Sequence, residues 1–550
     1  MKYSTSLHTY MVSVFTGLFL SLSIFSIAHA RQRMYDVVIY GGTSAGVVAA
    51  IQVKKMKKNV VLIEPSDRLG GLTTGGLGQT DIGNKQVVGG LSREFYTRVA
   101  KKYQDPKNWK WQKKEEYKSG GQSITKEGEE SMWTFEPSMA LEIFEDMIRE
   151  NGVNVIYSER LDLNTEVKLN NGKIESIEME SGKTFSAKMF IDATYEGDLM
   201  ALSGVSYTVG RESNDQYGES LNGVETALAE YHQFPDGVDP YIRTGEPSSG
   251  LLPNINPDIQ RDGTADSKIQ AYCYRMCLTD VPENRIPFKK PEGYNELEYE
   301  LLFRAIEAGA KPPYFIPSDM PNRKTDWNNR GPFSTDYIGR NYNYAEGDYE
   351  TRDKIREAHK TYQLGLMWTL AYHPRIPKVI REEISRWGLP KDEYEKYDNW
   401  TPQLYVREVR RMISDFVMTE NHCNQKLPVE KSVGMGAYTM DSHNVQRYVT
   451  KEGYVKNEGN VEVGGFGPYP IAYQSIVPKK QECTNLFVPV CPSSTHMAFG
   501  SIRMEPVFMI LGQSAATAAS IAIDDKIAVQ DINYKKLQKQ LLIDRQILKN

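Results

Sequence analysis

Apolar residues follow three rhythms along this chain. Two short unbroken runs, DVVIY (36–40) and VVLIE (60–64), do not alternate and are rich in β-branched residues, the pattern of strands covered on both faces. The stretch VVAAIQVKKMKKN (47–59) between them predicts a helix. FEPSMALEIFEDMIREN (135–151) carries its apolar positions at helical spacing, with a proline near the start. From 152 to 187 the rhythm becomes alternation, broken by NNG and SGK turns. This predicts a small antiparallel meander that includes GVNVIYSERLDL and leads into a buried strand, KMFIDAT (188–194). Residues 101–130 are charged and aromatic without a period and are expected to form a surface excursion. From 206 to 482 periodic segments shorten and Pro and Gly interrupt often, although ELEYELLFRAIEAG (296–309) and DYETRDKIREAHKTYQLGLMWTLAYH (348–373) still predict helices. TNLFVPVCPSSTHMAFGSIRMEPVFMILGQSAATAASIAI (484–523) then predicts a buried strand, a loop, and a helix rich in small residues with Pro506 at its first turn.

The first strand, turn and helix enclose GGTSAG, Gly41 to Gly46, and the second strand ends on Glu64. A strand, glycine turn, helix, strand and acid in this order form the unit that holds a dinucleotide. Gly41 permits the tight turn and Gly46 permits close helix packing. The N–H groups and dipole of the helix start face a pyrophosphate, and Glu64 is placed to accept ribose hydroxyls. Thr43 stands where the second glycine is expected, so its side chain must turn aside or bond a phosphate oxygen. The same letters also satisfy G-x-S-x-G, the nucleophile elbow of serine hydrolases, but that reading leaves Glu64 and the glycines after it without a role.

Those glycines, five between Gly70 and Gly78 in PSDRLGGLTTGGLGQTD, lack apolar periodicity and predict a loop whose backbone lies against a large ligand. With them the chain resembles the FAD-dependent oxidoreductases that have a glutathione-reductase-type Rossmann domain. It most resembles a bacterial branch reading YGGTSAG, LIEP and LGGLTSGGLG, in which Thr43 is a family trait. ATYEGD at Ala193–Asp198 resembles the family's second signature, and the strand and helix near residue 500 its last. The resemblance implies an α/β fold: a Rossmann-like FAD-binding domain, a parallel sheet with an antiparallel meander, plus an inserted mixed α+β substrate or cap domain. The expected divisions are 31–205 and 483–550 for the FAD domain and 206–482 for the insertion. The implied FAD contacts are Gly41, Gly42, Thr43, Ser44, Ala45, Gly46, Glu64, Pro65, Gly70, Gly71, Leu72, Thr73, Leu161, Ala193, Thr194, Gly197, Asp198, Gly500, Arg503, Met504 and Pro506. The helix opening at Arg503–Pro506 is expected to point its positive end at the flavin pyrimidine.

A chain of 550 residues exceeds one core, and 40% hydrophobic with 25% charged residues is the composition of a soluble globular protein. Lys2, the apolar run 11–27 and the small-x-small pattern Ala28–Ala30 are expected to form a signal peptide cleaved after Ala30; a membrane anchor is the alternative. Cleavage removes one lysine and no acid, taking the formal charge from −5 to −6. The mature chain is therefore expected to be periplasmic or secreted, without stable membrane insertion and without a nucleic-acid partner. Cys273, Cys277, Cys423, Cys483 and Cys491 are odd in number and lack zinc spacing, which favours buried thiols. No metal-binding motif is present.

With flavin supplying the redox step, the protein must hold a substrate C–H and remove the partner proton. His496, in the segment before the last helix, is the first candidate base and His443, in a polar stretch, the second. His232, His359 and His422 are expected at the surface, and His373 as a helix cap. Arg275 is the candidate proton donor should the reaction run toward reduction of an activated double bond, as in fumarate-reductase-like flavoproteins. The aromatic and polar run Pro317–Tyr344 suits sugar or polyol rings, or is an irregular surface. The expected activity is hydride removal from a polar small molecule, with a carbohydrate-type alcohol leading, and oxygen, a quinone or a redox protein as electron acceptor. A polysaccharide-processing enzyme using FAD structurally or transiently is the remaining alternative.

Overall fold

The computed structural model describes residues 34–120, 128–311 and 315–549. The expected signal peptide, with His8 and His29, lies outside them. The two unbroken apolar runs are parallel neighbours: β1 (Met34–Tyr40) pairs with β2 (Val60–Ile63), Tyr40 standing opposite Ile63. Between them α1 spans Ser44–Lys55, three residues earlier than the apolar pattern alone suggested, because Thr43 caps it: the Thr43 hydroxyl accepts the Gly46 N–H.

The Gly-rich stretch is not wholly loop: Gly71–Thr74 forms one helical turn, α2. Then follow α3 (Gly90–Lys102) and the amphipathic α4 (Pro137–Glu150), which buries Met139, Ala140, Ile143, Phe144 and Met147 against the sheet layer. Most of the predicted meander is present as β4 (Lys168–Asn170), β5 (Lys173–Glu178) and β6 (Thr184–Asp192). β3 (Asn154–Ile156), however, leaves that group and extends the parallel sheet beside β2. The sheet order is β3-β2-β1-β6-β5-β4. The near half of β6 pairs with β5, and its far half pairs in parallel with Leu486–Phe487 from the C-terminal part. The C-terminal ends of β1, β2 and β6 thus lie along one edge, where α/β sheets bind ligands. α5 (Asp198–Leu202) leaves from that edge.

The loop expected before the last helix contains a helix of its own, His496–Ile502, so His496 opens a helix. Glu505–Asp525 follows, almost entirely buried. It is long and apolar enough to cross a membrane, yet 94% of its apolar window is buried inside the protein, where it is the central core helix. It packs along α1. The close fit depends on glycine: a Cβ on Gly512 would lie 2.4 Å from the Ala45 carbonyl oxygen, and one on Gly46 would lie 1.8 Å from that of Gly41.

Residues 206–482 divide between two cores. Residues from Phe234 to Val409, with Val455, build their own core around the helices Glu300–Glu307 and Tyr349–Tyr372. Met418 to Val477 instead pack mainly into the core of α1 and the last helix. The run 317–344 is only partly irregular. Phe315–Met320 and Lys324–Asn329 form a hairpin in a five-stranded sheet, which buries Trp327 in the cap core. All five cysteines are free and buried. His373 caps its helix as expected. His359 and His422 are buried rather than at the surface, and His232 is largely covered, its ring nitrogen accepting the Gly331 N–H.

Gly46→Ala is expected to cost about 3 kcal/mol or more, because the methyl group meets backbone that cannot move independently of the turn. A melting temperature within a degree of wild type would exclude this packing.

Candidate active site

The turn after β1 is fixed by three contacts. The Gly42 N–H donates to Glu64 Oε2 at 2.6 Å, the Thr43 hydroxyl donates to the Ala193 carbonyl at 2.7 Å, and the Gly70 N–H donates to the Gly42 carbonyl at 2.7 Å. The Thr43 hydroxyl is thus engaged twice, donating to Ala193 and accepting the Gly46 N–H that it caps. The N–H groups of Ser44 and Ala45, in the first turn of α1, have no acceptor within the helix. Glu64 is buried, which raises its pKa against the hydrogen bonds from Ser66 and Gly42. Those two N–H bonds occupy half of what a carboxylate can accept, leaving capacity for ribose hydroxyls. Free helix-start donors, a carboxylate at the end of β2 and a glycine-lined edge form a donor and acceptor set that fits FAD.

Other positions implied by resemblance serve the frame around that edge. The Leu161 N–H donates to the Tyr40 hydroxyl and its carbonyl accepts from Tyr349. Thr194 donates to Asp192 and accepts from Gly197, and Pro65 follows Glu64 on the rim. The Asp198 carboxylate, rather than being free for a ligand, is held by Arg352 and Arg410 at 2.6 and 2.8 Å. Gly500 lies inside the helix His496–Ile502, where a Cβ would meet the Asp441 carbonyl at 2.6 Å. Met504 caps the helix Glu505–Asp525, and the Pro506 carbonyl accepts from Ser92.

One residue beside these was not singled out from sequence. Glu505, in the first turn of the helix Glu505–Asp525, accepts hydrogen bonds from Ser44 of α1, from Thr73 of α2 at 2.7 Å, and from Tyr195 at 2.7 Å. Tyr195 in turn accepts the Leu72 N–H at 2.9 Å. Burial raises the Glu505 pKa. The positive end of this helix is thus faced first by its own carboxylate. The position of Glu505 just before Pro506, at a helix start, was the available signal.

The Gly-rich segment leads directly into a second cluster. A Cβ on Gly76 would lie 2.1 Å from the Arg275 carbonyl. Arg275 grips Asp326 with two hydrogen bonds of 2.8 and 2.7 Å and has Asp81 at 3.7 Å. Arg407 pairs with Asp336 at 2.9 Å and lies over the Tyr405 ring. Arg503 pairs with Asp441 at 2.8 Å and donates to the Tyr405 hydroxyl at 2.7 Å. Between Asp336 and Asp441 stands His443: its Nδ1 is 2.7 Å from Asp336, and its Nε2 is 3.7 Å from Asp441, beyond a hydrogen bond. Burial pushes the Asp336 pKa up, but Arg407 and His443 outweigh it and hold the group at about 2. Asp441 is likewise held below the usual range. Each arginine has a carboxylate partner, and the aspartates outnumber the arginines by one.

His496 is not in this group. It is buried, with Nδ1 2.7 Å from Glu408 and Nε2 3.0 Å from Ser442, while Arg411 bridges Glu408 and Glu212 beside it. Burial, with Arg411 and Arg211 nearby, lowers its pKa to about 3. Sequence reasoning named His443, Arg275 and Arg503 but missed Asp336, Asp441, Arg407 and Tyr405, which come from segments without any periodic pattern.

Glu505→Ala is expected to weaken FAD binding about tenfold or more, since three hydroxyl donors from three segments lose their acceptor. Glu505→Gln should lose less. Fluorescence titration with FAD measures both, and unchanged affinity in the alanine variant would exclude the role.

No curated protein matches this chain. Among solved structures it is similar over part of its length to a flavin monooxygenase from Stenotrophomonas maltophilia (13% identity, 32% of this chain and 41% of that one, TM-score 0.20). Similar partial matches occur with the bacillithiol disulfide reductase Bdr from Staphylococcus aureus (16%, 34% and 44%, TM-score 0.19) and an L-proline dehydrogenase from P. horikoshii (16%, 33% and 59%, TM-score 0.23). The chain thus spans less than two thirds of each of these proteins. The family model described as FAD dependent oxidoreductase matches residues 36–541, nearly the whole described chain. With the dinucleotide edge and the glycine-lined approach to it, this protein belongs to the FAD-dependent oxidoreductases.

Proposed function

We propose that this oxidoreductase dehydrogenates a neutral polar alcohol, a carbohydrate-type substrate leading, with His443 as the base. FAD, when bound, supplies the hydride acceptor; the other requirements fall to the chain. The observation that carries the reading is the asymmetry of His443. Asp336 engages Nδ1, which orients the ring and leaves Nε2 as the nitrogen able to take a hydroxyl proton. The Arg407 Nη1 and Arg503 Nε N–H groups are buried without acceptors, and such donors fit an oxygen that gains negative charge as its proton leaves. A carbonyl product results, with the proton on His443.

The charge balance favours a neutral substrate. A carboxylate substrate would meet arginines already paired and an excess aspartate, so the reductive alternative with Arg275 as donor is the weaker reading: Arg275 is buried and bound by Asp326 through two bonds. His496, with both ring nitrogens engaged, is better suited to holding Glu408 and Ser442 in place. The apolar run 11–27 before Ala28–Ala30 supports export, where oxygen, a quinone or a redox protein would be the electron acceptor.

Two outcomes are expected. His443→Asn should retain FAD but slow anaerobic flavin bleaching by an alcohol that bleaches wild type by about 100-fold or more, as measured by stopped-flow absorbance. Equal rates would end the assignment. His496 makes a different prediction. Its folded pKa of about 3 lies below its ordinary 6.5, so between these values the unfolded chain binds a proton that the folded chain refuses. The stability contribution is complete above pH 6.5 and falls as pH drops through that window. His496→Gln should flatten this acid limb in melting temperature against pH; an unchanged limb would contradict the buried neutral imidazole.

A further inference from the structure

The groups around His443 differ in access. Asp326, Asp336, Arg275, Arg407 and Arg503 are buried, whereas the side chains of Asp81, Asp441 and His443 keep 17%, 17% and 12% of their exposure. The mouth of the cluster is therefore formed by one imidazole and two carboxylates. Arg407 and Arg503, which hold Asp336 and Asp441, also carry buried N–H groups without acceptors, at Nη1 and Nε. The cluster thus offers a ligand both acceptors and donors. A hydroxyl group is both donor and acceptor, and so can satisfy both sets.

Asp441 has a particular place in this arrangement. It projects from the short strand Met440–Ser442, two residues before His443, and this strand is held by pairing with Val461–Val463. Arg503 anchors Asp441 Oδ2 at 2.8 Å, and the same oxygen lies 3.7 Å from His443 Nε2. Gauche hydroxyls on neighbouring carbons lie at about the separation of a hydrogen-bonded oxygen pair. Two acceptors 3.7 Å apart can thus each take one hydroxyl of such a pair without either hydroxyl leaving its carbon's staggered position. An isolated alcohol uses only the imidazole and leaves the Asp441 carboxylate with Arg503 as its donor but its remaining acceptor capacity unfilled, which costs binding.

We infer that Asp441 makes this site selective for vicinal diols, its carboxylate accepting the hydroxyl on the carbon next to the one that is oxidised. The inference rests on the assignment of His443 as base and narrows the substrate from polar alcohols to 1,2-diols, the class to which sugars and polyols belong. Bond changes are those of the parent reaction. The carbinol C–H leaves as hydride to FAD, the O–H proton goes to His443, and the C–O bond becomes a carbonyl. The neighbouring C–OH is retained, so the product is an α-hydroxy carbonyl compound. Asp441 is a specificity residue that exchanges no electrons.

Three ring alcohols of matched shape test this: cis-cyclohexane-1,2-diol, cyclohexane-1,4-diol and cyclohexanol. Binding to the FAD-loaded protein, measured by calorimetry, should favour the 1,2-diol over both others by about tenfold, the effect of one charge-assisted hydrogen bond. In Asp441→Asn the preference should fall to about one, with the flavin spectrum unchanged, and Asp441→Glu should restore part of it. Equal binding of the 1,2- and 1,4-diols, a preference surviving in Asp441→Asn, or no binding of any of the three would overturn the inference. Should Asp441→Asn fail to fold because Arg503 loses its partner, the wild-type ranking alone decides. Failure of the parent reading looks different: the 1,2-diol would bind selectively yet bleach no flavin, or bleach it equally well in His443→Asn.

Discussion

One buried carboxylate joins three distant segments beside the glycine-rich turn. Glu505 receives a hydroxyl from the start of α1, another from the Gly-rich segment and a third from the turn after β6; the first of these lies 461 residues away in the chain. A buried carboxylate without partners would be expelled or protonated, and three donors make its position tolerable. The helix that begins at Glu505 also lies against α1 through Gly512 and Ala45. The same element therefore sets both the helix spacing and the donor arrangement at the glycine turn.

From that frame the chemistry continues through the Gly-rich segment. Gly76 lies against the Arg275 backbone, so the cofactor edge and the Arg–Asp–His cluster share a wall. Burying guanidinium groups demands compensation, and each of Arg275, Arg407 and Arg503 has an aspartate within hydrogen-bond distance. Compensation leaves little net charge to attract an ionic substrate. Under the proposed function, recognition there is directional: one oriented imidazole, partly exposed carboxylates and two buried N–H groups.

Several misreadings of the sequence share a cause. His359 and His422 stand in helical or polar stretches and look like surface residues, yet both are buried: the His422 ring bonds Thr419, and the His359 ring packs against Tyr272 and Tyr337 with Nδ1 at the Ile355 carbonyl. The run 317–344 looks irregular because Asp326 and Asp336 interrupt its apolar pattern, but their carboxylates are partnered by Arg275 and Arg407, so the segment can be a buried hairpin and its continuation. From its sequence β3 reads as part of the meander, because alternation does not distinguish a parallel edge strand from a hairpin strand.

What the chain determined by itself is local. The apolar runs of β1, β2 and β6, the helical period of α4, and the cap and glycines around Thr43 specify a strand–turn–helix edge for a dinucleotide, because each depends on neighbours within a few residues. The unbroken apolar runs suit the parallel pairing of β1 with β2 and β6, in which both faces are covered. The Arg–Asp–His cluster is different in kind. Asp81, Arg275, Asp336, Arg407, His443 and Arg503 come from separate segments, and no spacing in sequence reports which carboxylate reaches which cation. Only the packing of the cap against the glycine-lined edge decided that His443, rather than His496, keeps a ring nitrogen unbonded, because hydrogen-bond capacity is settled by the partners that folding brings within reach.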